Sequence, residues 1–460
     1  MSSFRKNEEI EVRITDLTEH GEGVGKTDGF PVFIKDAVIG DTVRARLIKD
    51  KKTYAYGRLL EVLEASPDRV AAPCPVARSC GGCQIQEMAY PAQLAFKRAR
   101  VQNHLERLGG FADVMAEPVL GMEEPWHYRA KTQVPVRRGR DGEIRMGFYA
   151  GRTHDVIETE TCRIGMHEER QILDTVRAHM ERAHIAPYDE ESGTGLVRHV
   201  LIRKGFATGE ILTCLVINGA GLPGEEKLAR ELMRIPGMKT VTVNVNRART
   251  NVILGAETRV LCGEGEITES IGDLSFSISS PSFFQVNPAQ TAVLYGKALE
   301  FAALTGSETV WDIYCGTGSI SLFLARQAAR VFGNEISEAA VADARRNAVR
   351  NGIANAEFFA GRAEEVLPRL YREAPDIYRA DVVVVDPPRK GCERPVLDTI
   401  LAMRPERVVY VSCNSATFAR DARILADGGY ALKTVQPVDM FPHCVSTELA
   451  SVFVREDAAG

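Results

Sequence analysis

The chain has 460 residues, with 57 Lys and Arg against 62 Asp and Glu, a formal net charge of −5, and 45% hydrophobic and 26% charged residues. These ordinary globular proportions exclude a disordered chain, a collagen-like repeat and a disulfide mini-scaffold. No apolar run reaches the ~18 residues of a membrane helix, and any surface for a polyanion must be a local patch. The start, MSSFRKNEEI, has no apolar segment of the secretory kind, so a cytoplasmic protein without membrane contact is expected. Ten cysteines then imply thiol chemistry, metal binding or core packing rather than disulfides.

Residues 1–65 read as a small all-β unit. IEVRITDL, FPVFIKDAV, DTVRARLIKD and YAYGRLLEVLE are strand-like runs, with turns expected at Gly21–Gly25, Asp28–Gly29 and Gly40–Asp41. Four or five short strands in this length predict an OB-like barrel, a fold that often binds oligonucleotides. The next stretch, SPDRVAAPCPVARSCGGCQIQEMAY, has no usable period and reads as an irregular loop held by something other than a hydrophobic core. PAQLAFKRARVQNHLERLGG then resumes helical spacing and stops at Gly109–Gly110.

Residues 66–275 predict a central α+β domain. Its strands are KTQVPVRR, EIRMGFYA, LVRHVLIRKG, ILTCLVIN and KTVTVNVN, and its helices are HEERQILDTVRAHMERAHI and EEKLARELMRI. From 276 to 460 strands and helices alternate. TVWDIY, RVFGNE, AEFFAG, ADVVVVD, RVVYVSC, ALKTVQPVD and LASVFVRE read as strands, the first five each followed by a helix. That is a doubly wound, Rossmann-like α/β domain, whose ligands gather at the carboxyl ends of the strands.

Four segments carry chemistry, the first three at that edge. DIYCGTGS, residues 312–319, follows a strand and opens a helix, and its glycines let backbone approach a ligand. Glu335 ends the next strand, where a carboxylate bonds ribose hydroxyls. The third glycine of the dinucleotide fingerprint is absent, which suits S-adenosylmethionine (SAM), a nucleoside cofactor without a pyrophosphate. Asp386 in DPPRKG ends an apolar strand and begins a rigid shelf, or simply stops the strand. Cys413 in VSCN ends another strand and is a candidate nucleophile, although Cys315, Cys392 and Cys444 fall near the same edge and spacing alone does not single it out. Glu448 precedes the last strand and is either a general base or an edge charge.

Two further features lie upstream. Cys74, the Cys80 and Cys83 of a C-x-x-C, and the distant Cys162 suit four thiolates around an iron–sulfur cluster better than the paired motifs of structural zinc. Between Arg129 and Arg152 stand seven basic residues against Asp141 and Glu143, flanked by Trp126, Tyr128, Phe148 and Tyr149. Cations with aromatics make a nucleic-acid footprint, or an ordinary charged strand pair.

Together these residues resemble the bacterial RNA uracil-5-methyltransferases, the group containing the ribosomal and transfer RNA 5-methyluridine enzymes. The likeness covers nearly the whole chain. The N-terminal barrel resembles a TRAM domain, and CPVARSCGGCQIQ with Cys162 resembles the family's [4Fe-4S] site. SFFQVNPAQ, DIYCGTGSISLFLA, DPPRKGC and VSCNSATFARD resemble its catalytic motifs. The resemblance implies a class I methyltransferase domain at 276–460 with SAM contacts at Gln285, Tyr314, Ser319, Glu335 and Asp386. It makes Cys413 the nucleophile that adds to carbon-6 of uracil and Glu448 the base that removes the carbon-5 proton. The cluster and TRAM domain point to 23S ribosomal RNA rather than transfer RNA, and a monomer is expected. A cytosine-5 RNA methyltransferase is the nearest rival, but those enzymes carry a Pro-Cys pair where Pro387-Pro388-Arg389 stands. An exocyclic-amine methyltransferase would carry an aromatic in place of Arg389. A non-catalytic RNA-binding protein would not need Cys413 and Glu448 together.

Overall fold

The computed structural model describes residues 7–456. The first six residues of MSSFRKNEEI, and the end of the EDAAG tail beyond Glu456, lie outside them. In chain order the elements begin with β1 (Glu9–Leu17), β2 (Gly23–Thr27), β3 (Phe30–Lys35), β4 (Thr42–Asp50), β5 (Ala55–Glu64) and α1 (Tyr90–Arg107). There follow β6 (Lys131–Arg138), β7 (Ile144–Tyr149), β8 (Val156–Glu158), α2 (Glu169–Arg182), β9 (Val197–Lys204), β10 (Ile211–Ile217), α3 (Glu225–Leu232), β11 (Met238–Val245) and β12 (Glu257–Cys262). Next come the hairpin β13 (Glu266–Ile271) and β14 (Leu274–Ser279), α4 (Pro288–Ala302), β15 (Thr309–Ile313), α5 (Ser319–Ala325), β16 (Arg330–Glu335), α6 (Glu338–Arg350) and β17 (Ala356–Ala360). The chain closes with α7 (Ala363–Glu373), α8 (Pro375–Tyr378), β18 (Val382–Val385), α9 (Arg394–Met403), β19 (Arg407–Ser412), α10 (Ser415–Asp427), β20 (Tyr430–Val438) and β21 (Glu448–Arg455). Among the described residues no helix is long and apolar enough to cross a membrane.

These elements form two compact units. The first holds the chain up to Lys97, Phe148–Thr159 and Phe441–Ser446. Its five N-terminal strands close into a barrel in the order β1-β2-β3-β5-β4. Alternation decides what faces inward: Ile10, Val12 and Ile14, then Val32 and Ile34, then Val43, Ala45 and Leu47 fill the interior. The predicted turn at Gly21–Gly25 is mostly the strand β2. Gly23 and Gly25 occupy inward positions, and a Cβ at Gly25 would stand 2.4 Å from the Val12 side chain. They are glycines because the barrel has no room there, not because the chain turns.

The cysteine-bearing segment after the barrel is anchored at its start by polar groups, as expected, and only at its end by a small apolar cluster. At its start the buried Asp41 carboxylate accepts from the backbone N–H of Val38 (2.7 Å) and Ser66 (2.9 Å), and from Arg69 (2.7 Å). Arg69 also pairs with Glu87 at 2.7 Å. At its end Ile85 and Met88 pack with Leu17, Val38 and Phe96 in a small apolar cluster.

The second unit holds Arg98–Gly147, Glu160–Met440 and the chain from Thr447. One of its sheets runs β12-β11-β10-β9-β6-β7. The other runs β17-β16-β15-β18-β19-β21-β20, and contains all seven strands expected from the sequence. Its strands are parallel except β21, which runs antiparallel between β19 and β20. The order reverses at β15, so the loops after β15 and β18 leave in opposite directions and open a crevice at their carboxyl ends. The all-valine β18 is buried on both faces, as a central parallel strand requires.

The hairpin β13–β14 and helix α4 were not foreseen. The Ser275 and Ser277 amides donate to the Asn351 and Asn347 side chains of α6 at 2.8 and 3.1 Å, which docks the hairpin on the domain. Helix α4 begins at Asn287, whose side chain caps it by accepting from Gln290 N–H, with Pro288 in the first turn.

Candidate active site

The glycine turn after β15 is shaped by three left-handed residues, Tyr314 (φ 71°), Gly316 (φ 56°) and Gly318 (φ 80°). Gly318 has no alternative: a Cβ there would lie 2.9 Å from the Ala344 methyl and 3.2 Å from the Phe358 ring. Asn347 of α6 donates to the Thr317 carbonyl at 3.1 Å and holds the turn from the other side. Glu335 ends β16 beside it. One carboxylate oxygen accepts from Gly316 N–H at 3.2 Å and the other from Ser337 N–H at 2.9 Å, so the group is fixed at the mouth of the turn, half-buried. A carboxylate at this point of a doubly wound sheet typically bonds ribose hydroxyls.

Behind the turn, burial raises the Asp312 carboxyl to about 7, while the hydroxyl of Ser321 donates to it. Ser319 shares a hydrogen bond of 3.0 Å with the Tyr295 hydroxyl. Tyr314 turns its side chain toward Cys392 and Glu364, and burial pushes its hydroxyl pKa upward. Gln285 lies half-buried in the 280–287 segment that joins the hairpin to α4. Ala130 N–H donates to the Val286 carbonyl at 2.7 Å and Arg203 donates to the Ser282 carbonyl, so this segment is clamped on both sides of Gln285. Phe283, within it, is 68% exposed.

Asp386, Cys413 and Glu448 converge. Burial raises Asp386 to about 7. Burial, then the Asp386 charge, raises Glu448 to about 8. The Cys413 thiol is pushed up by burial and by the charges of Glu448 and Asp386, and the Arg389 guanidinium opposes them. Each group thus lies within electrostatic reach of the others, on three different strand ends. Pairing in the sheet accounts for this: β18 lies beside β19, and Leu449 of β21 sits opposite Ser412.

Local hydrogen bonds hold the Cys413 loop. Ser412 accepts from Asn414 N–H at 3.1 Å, and the Asn414 side chain caps α10 by accepting from Ala416 N–H at 3.0 Å. Asn414 and Thr417 both donate to the Arg389 carbonyl at 3.1 Å, which ties the shelf after Asp386 to the thiol loop.

The structure separates thiols that spacing could not. In this unit Cys315 and Cys392 are each only 6% exposed. Burial drives Cys315 well up, and Cys392 to about 12. Cys413 is half-buried and faces two carboxyls, while Cys444 belongs to the first unit. Two participants escaped the sequence reading. Tyr295, on the unforeseen α4, is buried and feels the charges of Asp386 and Glu448, and the Arg389 cation acts on the thiol. The proline of SFFQVNPAQ, a helix-start signal, could have revealed α4 and hence Tyr295.

Three cations of the expected basic patch are engaged in ion pairs. Arg137 pairs with Glu190, Arg145 with Asp141 and Arg152 with Glu22. Lys131 is lowered to about 7 by burial and by the neighbouring Arg203 and Arg129 charges. Arg138 and Arg140 remain exposed. Of the four upstream cysteines, Cys74, Cys80 and Cys83 lie in the first unit and Cys162 in the second, all half-buried. Among the described residues no group of three or more His, Cys, Asp or Glu is arranged to hold a metal ion.

A sheet of this order, with a glycine turn after its first strand, an acid closing its second and a further acid closing its fourth, defines a SAM-dependent methyltransferase domain. The family profile described as tRNA (Uracil-5-)-methyltransferase matches residues 242–454, and the TRAM domain profile matches residues 4–60. The chain is 52% identical over 452 residues to an uncharacterized RNA methyltransferase of Halalkalibacterium halodurans, covering 98% of this chain and 97% of that one. It is 48% identical over 451 residues to another from Bacillus cereus, with 98% and 97% covered. Among solved structures it matches the Pyrococcus abyssi tRNA (uracil-54, C5)-methyltransferase in complex with S-adenosyl-L-homocysteine. That match has 25% identity and a TM-score of 0.78, and covers 97% of this chain and all of the other. The chain belongs to the RNA uracil-5-methyltransferase family, a group of SAM-dependent enzymes that act on RNA.

Proposed function

We propose that the enzyme methylates carbon-5 of a uridine in 23S ribosomal RNA through a covalent bond between Cys413 and carbon-6. The convergence of a reachable thiol with two proton-binding carboxyls, Asp386 and Glu448, carries this reading. Carbon-5 of uracil is a weak nucleophile. Addition of the Cys413 thiolate to carbon-6 makes an enolate, whose carbon-5 takes the methyl group from the sulfonium and releases S-adenosylhomocysteine. Glu448 as carboxylate then removes the carbon-5 proton, the carbon–sulfur bond breaks, and the thiolate returns. The target base must leave its stack to reach the thiol.

Burial favours the protonated form of both carboxyls and of the thiol. The positive sulfonium and ammonium groups of SAM would favour the anionic forms of all three, so cofactor binding would prime the site. Gln285, Tyr314, Ser319, Glu335 and Asp386 are the proposed SAM contacts. The functional division is a TRAM barrel at 1–65, a central domain at 66–275 and the catalytic domain at 276–460, in a monomeric cytoplasmic enzyme.

We further assign Cys74, Cys80, Cys83 and Cys162 to a [4Fe-4S] cluster. The donor chemistry fits: Cys80 feels the Cys74 charge, and Gly82 N–H donates to the Cys80 sulfur at 3.3 Å, the kind of contact that stabilises a thiolate. Such a cluster would supply a structural clamp for the loop between its anchored ends.

Transfer RNA is the second reading, because the Pyrococcus structure is a tRNA enzyme. Supplying methyl-labelled SAM with 23S rRNA and with bulk tRNA, then mapping 5-methyluridine, decides between them. Label confined to tRNA overturns the ribosomal assignment, and label on cytosine overturns the base.

A further inference from the structure

The outer face of the barrel carries an aromatic group that nothing in the methyl-transfer site uses. Phe33, Tyr54 and Tyr56 point outward because their neighbours Val32, Ile34, Ala55 and Gly57 fill the interior. Phe33 and Tyr56 are register partners on the parallel pair β3–β5. The three rings form a closed triangle, with centroids 5.3 Å (Phe33–Tyr54), 5.7 Å (Phe33–Tyr56) and 5.6 Å (Tyr54–Tyr56) apart. Each ring remains half-exposed.

Cations surround them. The Arg152 guanidinium lies 5.9 Å from the Tyr56 ring centroid and is oriented by Glu22 at 2.8 Å. Lys35 and Arg58, both exposed, sit opposite each other on β3 and β5. Lys26 follows on β2, and Lys49 stands opposite Tyr56 on β4. The carboxylates nearby are Glu22, already engaged by Arg152 and Thr18, Asp28 in the β2–β3 turn, and Asp36 at the end of β3. Two like charges directly opposite on adjacent strands are unfavourable unless an anion lies across them. Rings that can stack bases, beside cations that can hold phosphates, match one kind of ligand.

We propose that Phe33, Tyr54 and Tyr56, with Lys35, Arg58 and Arg152, form a stacking platform for unpaired nucleotides of the RNA substrate outside the catalytic site. This deepens the RNA-methyltransferase reading and rests on it. The test uses the full chain, a fluorescein-labelled 12-residue oligouridine and, as control, a 12-base-pair RNA duplex. Phe33→Leu, Tyr54→Leu and Tyr56→Leu should each weaken oligouridine binding at least about 5-fold. They should leave the duplex and SAM affinities unchanged. Tyr54→Phe and Tyr56→Phe should bind as the parent does, since the ring does the stacking. Lys35→Gln and Arg58→Gln should each reduce the salt dependence by about 0.7 in log–log slope. Phe33→Trp supplies a reading that does not depend on a truncated side chain: its fluorescence should be quenched by oligouridine. Unchanged binding in the leucine variants, or an unquenched Trp, overturns the platform even if the parent enzyme methylates RNA. Loss of methylation in the parent with quenching intact would instead overturn the catalytic reading alone.

Discussion

Glu448, the first residue of β21, lies near enough to Asp386, at the end of β18, that the Asp386 charge helps raise its pKa to about 8. Two buried acids, one of which hinders the other's ionisation, lie beside a thiol that burial and then their charges push up, so a bound cation would alter the charge state of all three.

The first prediction concerns pH. Both carboxyls bind protons more tightly folded than unfolded, Asp386 at about 7 and Glu448 at about 8. Their favourable contribution is complete below the ordinary carboxylate range and is lost as pH rises through 7 and 8. The SAM-free enzyme should therefore lose melting temperature across that window. The Asp386→Asn, Glu448→Gln double variant should lose less, and saturating SAM should flatten the parent's slope. Differential scanning fluorimetry across the window checks this, and parallel slopes in parent and variant would refute it.

Cys413→Ala should reduce methyl transfer by at least about 10⁴-fold, the scale seen when a covalent nucleophile is removed. SAM affinity should change less than about 2-fold, because removing the thiol leaves a cofactor site whose acids carry the charge. Calorimetry and a labelled-methyl assay measure the two separately, and residual turnover near the parent's would remove the covalent mechanism.

Glu448→Gln should stall the reaction after methyl transfer, because the carbon-5 proton then has no acceptor. A protein–RNA adduct that survives denaturing gel electrophoresis should accumulate. Free, methylated RNA released at the parent's rate would assign proton removal to another group.

Gly318→Ala should weaken SAM binding by about 10-fold or more and destabilise the fold by about 1–3 kcal/mol, since a left-handed backbone and a filled neighbourhood act together. The contact partners are Ala344 and Phe358. Pairing it with Phe358→Leu should recover part of the stability and little of the SAM affinity if backbone strain dominates.

For the cluster, anaerobic purification should give a brown protein with about four irons per chain. Replacing Cys80 by Ser should lower both iron content and absorbance while Cys262→Ser leaves them unchanged.

The sequence by itself determined the seven strands of the catalytic sheet, a small N-terminal β-barrel and the strand ends that carry Glu335, Asp386 and Cys413. Periodicity and turn residues are local, and a doubly wound pattern sends its ligands to one edge. The sequence did not reveal β2, because glycines that face a crowded barrel interior resemble turn glycines. Nor did it reveal the ion pairs that divide the Arg129–Arg152 patch, since Glu190 and Glu22 are distant in the chain. The deeper burial of Cys315 and Cys392 than of Cys413, and the approach of Cys413 to Glu448, belong to the tertiary structure. Burial and electrostatic reach depend on which strands lie side by side, and the reversed β21 enters between β19 and β20 only when the sheet is assembled.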